Sequence, residues 1–273
     1  MRNIKNKVWT ITVVIFALSC NKETSNSNSQ KLPSIIELKN IQDKNRSGII
    51  ALTLNQFDDE SKSVAPVIEA SFNDEKIPNN FKNMGTLNFG GFKLNADAQN
   101  LYQGLNDVLK STEKKEYLKG LYGKVVAFSV VEEVSATNVT TRGADVGIAG
   151  EIYIPKIMDG NLQKGNKGSI NRNTTLTWTP DLQNTKGVYI MVEFYPLDLK
   201  NKDFRNKKGR KIAIQTEDDG NYKFSGNDFR GIPANATVSL TWGRGNFVEV
   251  NRKSSKPVIV LGYSTKEYRN SVE

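Results

Sequence analysis

The pattern of apolar and polar positions sets the first 30 residues apart from the rest of the chain. Residues 8–18 form an apolar run of eleven positions that is broken only by two threonines. The cations Arg2, Lys5 and Lys7 precede this run. Residues 21–30 are small and polar, so burial cannot offset the entropy of ordering them. The pattern predicts an export signal followed by a flexible polar segment.

Strand patterns begin after a stretch crowded with Lys and Asn. Ile50, Leu52 and Leu54 alternate with small or polar residues, which is the period of a half-buried strand. The pair Gly90 and Gly91 tolerates positive φ and predicts a tight hairpin. The predicted strand and hairpin segments of this first part are residues 48–54, 64–72, 85–94 and 125–131.

One segment of the first part has a helical period instead. Asp97 is a suitable N-cap, and the apolar residues behind it share one face of a helix. The sequence therefore predicts a helix over residues 97–110, inserted among the strands. The residues on the apolar face are Leu101, Leu105, Val108 and Leu109.

The second part contains eight short strand patterns at intervals of about ten residues, with turn residues between them. Asp218-Asp219-Gly220-Asn221 is a strong hairpin signal. This spacing predicts a β-sandwich with Greek-key connections. We therefore predict an all-β protein with two β-rich modules, residues 48–147 and 148–273. The eight patterns are residues 151–154, 174–179, 187–195, 211–216, 222–225, 237–242, 247–251 and 257–263.

Composition excludes several kinds of chemistry. The 273-residue chain has no histidine, which removes Ser-His-Asp and Cys-His catalysis and His-ligated zinc. It has one cysteine, so no intramolecular disulfide can form and core burial must stabilise the fold. The formal net charge is +9, and it falls to +6 when Arg2, Lys5 and Lys7 are removed. We expect no cofactor, no metal and no enzymatic activity.

Ala17-Leu18-Ser19-Cys20, at the end of the apolar run, resembles the lipobox of bacterial lipoproteins. The resemblance implies that residues 1–19 are removed as a signal peptide and that the Cys20 thiol carries diacylglycerol. Residues 20–47 then form a lipidated tether, and two or more acyl chains give stable anchoring. The implied location is a membrane of the bacterial cell envelope, at the outer membrane or the cell surface. An ordinary secretory signal with cleavage elsewhere is the alternative.

A second resemblance concerns the sandwich. Thr175-Leu176-Thr177-Trp178-Thr179-Pro180, followed by the apolar strand at 188–194, resembles the strand pair around the buried tryptophan of fibronectin-III-like and immunoglobulin-like domains. Period two places Trp178 and Trp242 on the apolar, core-facing side of their strands. The resemblance implies a sandwich fold for the last 120 or so residues. Fold analogy of this kind implies no function.

The clearest basic cluster lies in a predicted loop between residues 200 and 210. Its cations could bind phosphates of lipid headgroups, lipopolysaccharide or nucleic acid, or they could belong to a solvated loop. The export signal and the single aromatic residue of the loop argue against nucleic acid. The predicted ligand-binding residues are Lys200, Lys202, Arg205, Lys207, Lys208 and Arg210.

Three further patterns have structural explanations as well as chemical ones. Ser111-Thr112-Glu113-Lys114 fits the S-x-x-K motif of serine β-lactamases, but the partner motifs are absent and a charged helix end also explains it. Asp181, Glu193 or Asp198 could supply a carboxylate pair for glycoside hydrolysis. The acidic residues 217–219 could ligate calcium, although a hairpin turn explains the Asp-Gly pair.

These patterns together predict a lipid-anchored envelope protein with a non-enzymatic role in binding, adhesion or assembly. Its expected partners are the membrane, through the lipid on Cys20, and a glycan or protein ligand, but not nucleic acid. The alternative is a carboxylate-dependent glycoside hydrolase or a carbohydrate-binding accessory lipoprotein.

Overall fold

A computed structural model describes residues 46–57, 65–73, 81–104, 111–131, 148–163, 170–196, 208–252 and 255–272. The predicted signal peptide, Cys20 and all but the last two residues of the predicted tether lie outside these ranges. None of the helices within the described ranges is long and apolar enough to cross a membrane.

The described residues are mostly strand and contain one α-helix, which confirms the predicted all-β class. A short 3₁₀ helix, Gly226–Phe229, lies between two strands of the second half. The elements are β1 (Gly48–Phe57), β2 (Val67–Phe72), β3 (Thr86–Phe89), β4 (Phe92–Leu94), β5 (Leu101–Gln103), α1 (Thr112–Lys119), β6 (Lys124–Val131), β7 (Ala149–Ile154), β8 (Asn161–Gln163), β9 (Thr175–Thr177), β10 (Val188–Phe194), β11 (Arg210–Thr216), β12 (Asn221–Lys223), β13 (Thr237–Arg252) and β14 (Ser255–Ser271).

A seven-stranded sheet runs through both halves of the molecule in the order β11-β10-β13-β14-β1-β2-β5. Its centre is the long hairpin of β13 and β14, which have 16 and 17 residues. β1 pairs with β14 in parallel register, from Gly48 opposite Val258 to Phe57 opposite Glu267. The other neighbouring pairs of this sheet are antiparallel.

Two smaller sheets cover one face of the large sheet, and each encloses its own core. The sheet β4-β3-β6-β7 covers the first core, and the sheet β12-β9-β8 covers the second. Leu240 and Trp242 of β13 belong to the second core, whereas Val248 and Val250 of the same strand pack on the first. Because side chains alternate along a strand, these four residues lie on one face of the sheet.

The second core is that of a β-sandwich, as predicted. Its three-stranded sheet holds the first, second and fifth of seven strands, and the large sheet supplies the other four. Trp178 follows β9 and is buried, and Trp242 is fully buried, so both indoles lie on the core side as expected. The fibronectin-III-like sandwich implied by the sequence is therefore confirmed at the level of fold.

The boundary predicted between residues 147 and 148 is not where strand pairing divides. β7 of the second predicted module pairs with β6 of the first, and β14 pairs with β1. The predicted strands 237–242 and 247–251 are one continuous strand, β13. Residues 243–246 contain two glycines and suit a turn, but Gly243 lies inside the strand at a close backbone approach. A Cβ there would lie 2.6 Å from the Ser264 carbonyl oxygen and 2.7 Å from the Tyr189 hydroxyl oxygen.

The helix predicted over residues 97–110 is wrong for its described part. Asp97 caps a turn, its Oδ1 accepting hydrogen bonds from the backbone N–H groups of Gln99 and Leu101. The chain then forms β5 on the edge of β2. Gly104 lies against Ile68, whose carbonyl oxygen accepts a hydrogen bond from its N–H at 2.9 Å. Pairing to β2 thus overrides the helical period. Residues 105–110 lie outside the described ranges.

The α-helix starts one residue after Ser111. The Ser111 hydroxyl accepts a hydrogen bond from the Lys114 N–H at 3.2 Å and so acts as the N-cap of α1. The S-x-x-K pattern is therefore a charged, solvated helix start, in agreement with its structural explanation.

Candidate functional site

The sandwich has one end at which its loops and its last strand meet. Phe194, at the end of β10, pairs with Val238 on one side and with Arg210 on the other. The bridge between Ile170 and Val272 brings the chain before β9 to the same place. We call this region, formed by residues 171–173, 208–210, 226–234 and 272, the loop end.

A cavity of about 490 Å³ opens at the loop end. This volume falls within the range of small-molecule sites, about 300–1,000 Å³. The lining combines apolar side chains with two amides and a guanidinium. It includes Asn171, Arg172, Asn173, Phe229, Ile232 and Val272.

A tight turn holds the polar side of this cavity. The Asn171 Oδ1 accepts a hydrogen bond from the Asn173 N–H at 2.9 Å, and the Asn171 N–H donates to the Thr174 hydroxyl at 2.9 Å. Asn is favoured at such positions because its side chain can close a turn with the backbone two residues on. The turn leaves the side chains of Arg172 and Asn173 exposed.

The apolar side of the cavity is fixed by a buried carboxylate. The Asp228 Oδ2 accepts hydrogen bonds from the Ser225 N–H at 2.6 Å, the Ser225 hydroxyl at 2.9 Å and the Tyr222 hydroxyl at 3.1 Å. Burial, followed by the charge of Asp228, raises the pKa of Tyr222 well above its ordinary value, so its hydroxyl remains a donor. Phe229 packs on Phe224 with ring centroids 5.4 Å apart. This side of the cavity is therefore preorganised.

The loop end contains four cations, Arg172, Lys208, Arg210 and Arg230, and two of them are placed relative to the cavity. Arg172 lines the cavity, and no described residue forms an ion pair or hydrogen bond with its guanidinium. Arg210 lies over the backbone of Gly231, where an added Cβ would be 2.8 Å from the Arg210 Nε. Gly231 has φ +80 and directly precedes Ile232 of the cavity lining. The exposed Arg210 side chain thus lies next to the segment that lines the cavity.

The predicted binding residues are placed only in part. Lys208 and Arg210 are described, and both are exposed at the loop end. Lys200, Lys202, Arg205, Lys207 and the predicted lipidation site Cys20 lie outside the described ranges.

Sequence analysis missed Arg172, Asn173 and Phe229. A single arginine between two asparagines has no cluster around it to mark it as functional, and Phe229 has an ordinary apolar pattern. The available signal was the Asn-Arg-Asn turn itself, which exposes whatever side chain stands at its centre.

The acidic residues considered for catalysis or calcium have structural partners. The Asp181 carboxylate accepts hydrogen bonds from the Tyr153 hydroxyl and the Lys156 N–H, each at 2.8 Å. Glu193 is buried and pairs with the Lys211 Nζ at 2.7 Å. Asp181 precedes the start of β10 whereas Glu193 lies at its other end, so the two do not form a pair. Asp198 lies outside the described ranges.

Asp218 belongs to a buried polar group between the two cores, which we call the junction cluster. Its Oδ1 accepts a hydrogen bond from the Trp178 Nε1 at 2.8 Å, and its Oδ2 accepts one from the Asn184 Nδ2 at 2.8 Å. The Arg244 Nη2 lies 3.4 Å from Oδ1 and donates to the Thr179 carbonyl oxygen at 2.8 Å. Within the described ranges, no group of three or more acidic residues is arranged to hold a metal ion.

No protein-family model matches this sequence, and the comparison with curated proteins also found no match. One solved structure, reported under "Structural insight into host cell surface retention of a 1.5-MDa bacterial ice-binding adhesin", aligns with 84% of this chain at 14% identity and a TM-score of 0.19. The alignment spans 66% of that chain.

Proposed function

We propose that this chain is a non-enzymatic binding protein of the bacterial cell envelope, attached to the membrane by a lipid on Cys20. The protein binds an anionic ligand at the loop end. The observation that carries the proposal is the cavity lined by Arg172, with Arg210 close by over Gly231. Arg210, the last cation of the basic run, begins β11 at this end. Cations at a concave surface raise the local concentration of anions.

The position at which β1 begins is compatible with a binding site at the loop end. β1 begins at Gly48 opposite Val258, near the tip of the long hairpin, whereas β14 ends at Ser271 at the loop end. The thirteen steps between these two β14 positions span roughly 40 Å at about 3.3 Å per residue. The start of β1 therefore lies far from the cavity, and a tether that precedes β1 would join the molecule at the end opposite the loop end.

The loop end is expected to bind dextran sulfate and not neutral dextran. Replacing Arg172 and Arg210 together with alanine should weaken binding of dextran sulfate about tenfold, because two cations of the loop end are lost. Raising the salt concentration should weaken the wild-type interaction. Surface-immobilised polymer and the purified chain are sufficient for the measurement.

A matched control removes the same charge elsewhere. Lys93 and Lys124 are exposed on β4 and β6, in the other half of the molecule. The Lys93→Ala/Lys124→Ala variant should bind dextran sulfate within about twofold of wild type, since it changes only the net charge. Equal loss in both double variants would show that binding follows total charge, and the proposed site would be rejected.

Attachment is tested separately. Replacing Cys20 with serine should move the protein from the membrane fraction to the soluble fraction, because the thiol that carries the acyl chains is absent. Metabolic labelling with a fatty acid should mark the wild-type chain and not the variant. Retention of an unlabelled Cys20→Ser chain in the membrane fraction would refute lipid anchoring.

A further inference from the structure

The cavity at the loop end has a lining of mixed chemistry that narrows the class of ligand. Ile232, which is half-buried, and Ala234, which is exposed, supply accessible apolar surface, whereas Asn173 and Arg172 supply an amide and a guanidinium. The C–H faces of a sugar ring match the first group. Hydroxyl groups match the amide, which both donates and accepts, and a carboxylate matches the planar fork of the guanidinium.

From this lining we infer that the cavity binds an acidic saccharide, a short run of uronic-acid-type sugars, with Arg172 pairing with a carboxylate and Asn173 with neighbouring hydroxyls. The inference rests on the proposed binding function of the loop end and specifies its ligand. A free saccharide of two or three rings is of the size that a cavity of about 490 Å³ accommodates.

Other anionic partners fit the same charges less well. A bilayer surface is broad and would meet the rim of the loop end, leaving the apolar interior of the cavity unfilled. Single-stranded nucleic acid requires exposed aromatic faces for stacking. Phe229 is only 9% exposed and packs on Phe224, so it offers little such surface.

Preorganisation favours a small ligand. The buried Asp228 holds the 3₁₀ helix, and the Asn171 turn holds the backbone of Arg172 and Asn173, so binding has only side chains left to order. A carboxylate at Arg172 would form the first charge-assisted hydrogen bonds of a guanidinium that has no described partner.

The test is calorimetric titration of the purified full-length chain with trigalacturonate and with its methyl ester. The two probes have the same rings and nearly the same size, and only the first is charged. We expect trigalacturonate to bind at least tenfold more tightly than the ester. Arg172→Gln should weaken binding of trigalacturonate tenfold to a hundredfold, Arg172→Lys by less, and Asn173→Ala by about threefold to tenfold.

The outcomes separate this inference from the broader proposal. Binding of dextran sulfate without binding of trigalacturonate would refute the inferred acidic saccharide but not the proposed binding of anions at the loop end. If the protein bound neither probe, the proposed function would be refuted as well. Equal affinity for the ester would overturn recognition of the carboxylate. Arg172-dependent binding to vesicles of phosphatidylglycerol, without binding to trigalacturonate, would assign the site to lipid headgroups instead.

Discussion

Replacing Asp218 with alanine is expected to lower the free energy of unfolding by about 3–5 kcal/mol, the cost of removing one partner from a buried ion pair. The Arg244 side chain is fully buried, and its Nε and Nη1 have no hydrogen-bond partner. Without Asp218 the guanidinium would be left with two neutral acceptors, the Thr179 carbonyl oxygen and the Met158 sulfur, and the Trp178 indole would lose its acceptor. Urea unfolding followed by circular dichroism measures the change.

Two further variants identify the cause of this loss. Asp219 is the exposed neighbour of Asp218, and its carboxylate accepts a hydrogen bond from the Asn221 N–H. Asp219→Ala should therefore cost about 0.5 kcal/mol or less. Adding Arg244→Met to Asp218→Ala should restore at least about 1–2 kcal/mol, because it removes the unpaired buried charge. A double variant less stable than Asp218→Ala would contradict the assigned role of the charge.

The second large effect is expected at Phe89, whose replacement by alanine should cost about 3–5 kcal/mol. Phe89 is fully buried in the first core and stacks on Phe128 with ring centroids 6.4 Å apart. The informative observation is whether probes in the second core detect this loss of stability. Trp178 and Trp242 both lie in the second core, and Trp9, the third tryptophan, falls in the predicted signal peptide.

Tryptophan fluorescence should therefore report the loss of Phe89 from a distance. The hairpin of β13 and β14 contributes to both cores, so the two halves are expected to unfold as one unit. In Phe89→Ala the urea midpoint seen by fluorescence should fall together with the midpoint seen by far-ultraviolet circular dichroism. Val125→Ala, on an exposed position of β6, should leave both unchanged. A fluorescence midpoint that stays in place while the other falls would establish two independent units.

Local pattern was sufficient for much of the fold. Alternation in Ile50, Leu52 and Leu54 predicted β1, and the same period predicted the inward orientation of Trp178 and Trp242. The reason is that every second side chain of a strand faces the core when one face of the sheet is buried. The helical period at residues 97–110 was misleading. Four apolar positions fit a helix locally, but pairing with β2 and the close approach at Gly104 decide the structure there.

Long-range pairing was beyond local pattern. The parallel pairing of β1 with β14 joins residues about 210 positions apart in the chain, as the hydrogen bond between the Thr265 hydroxyl and Asn55 illustrates. Nothing in the sequence of either strand predicts that the two strands pair. A boundary at residue 147 was therefore a reasonable inference from spacing, and the shared sheet could be recognised only in three dimensions.

The candidate site was predictable in charge but not in shape. The basic run was marked by its composition, and its last member, Arg210, lies beside the cavity. The concavity arises from the turn at Asn171, the 3₁₀ helix and the end of β14, three segments that are distant in sequence. Arg172 acquires its importance only from that convergence.

The parallel register of β1 and β14 has a mechanical consequence. Tension applied between a tether at Gly48 and a ligand at the loop end pulls the start of β1 and the end of β14 in opposite directions along their common axis. In this shear geometry the evenly spaced hydrogen bonds of a parallel ladder share the load, whereas peeling would break them one after another. Forced unfolding is governed by the unfolding rate, so a ladder whose bonds share the load should unfold more slowly under force than one that peels. With the proposed attachment, the load would therefore be borne by β1 and β14, the one pair of parallel strands in the described part of the chain.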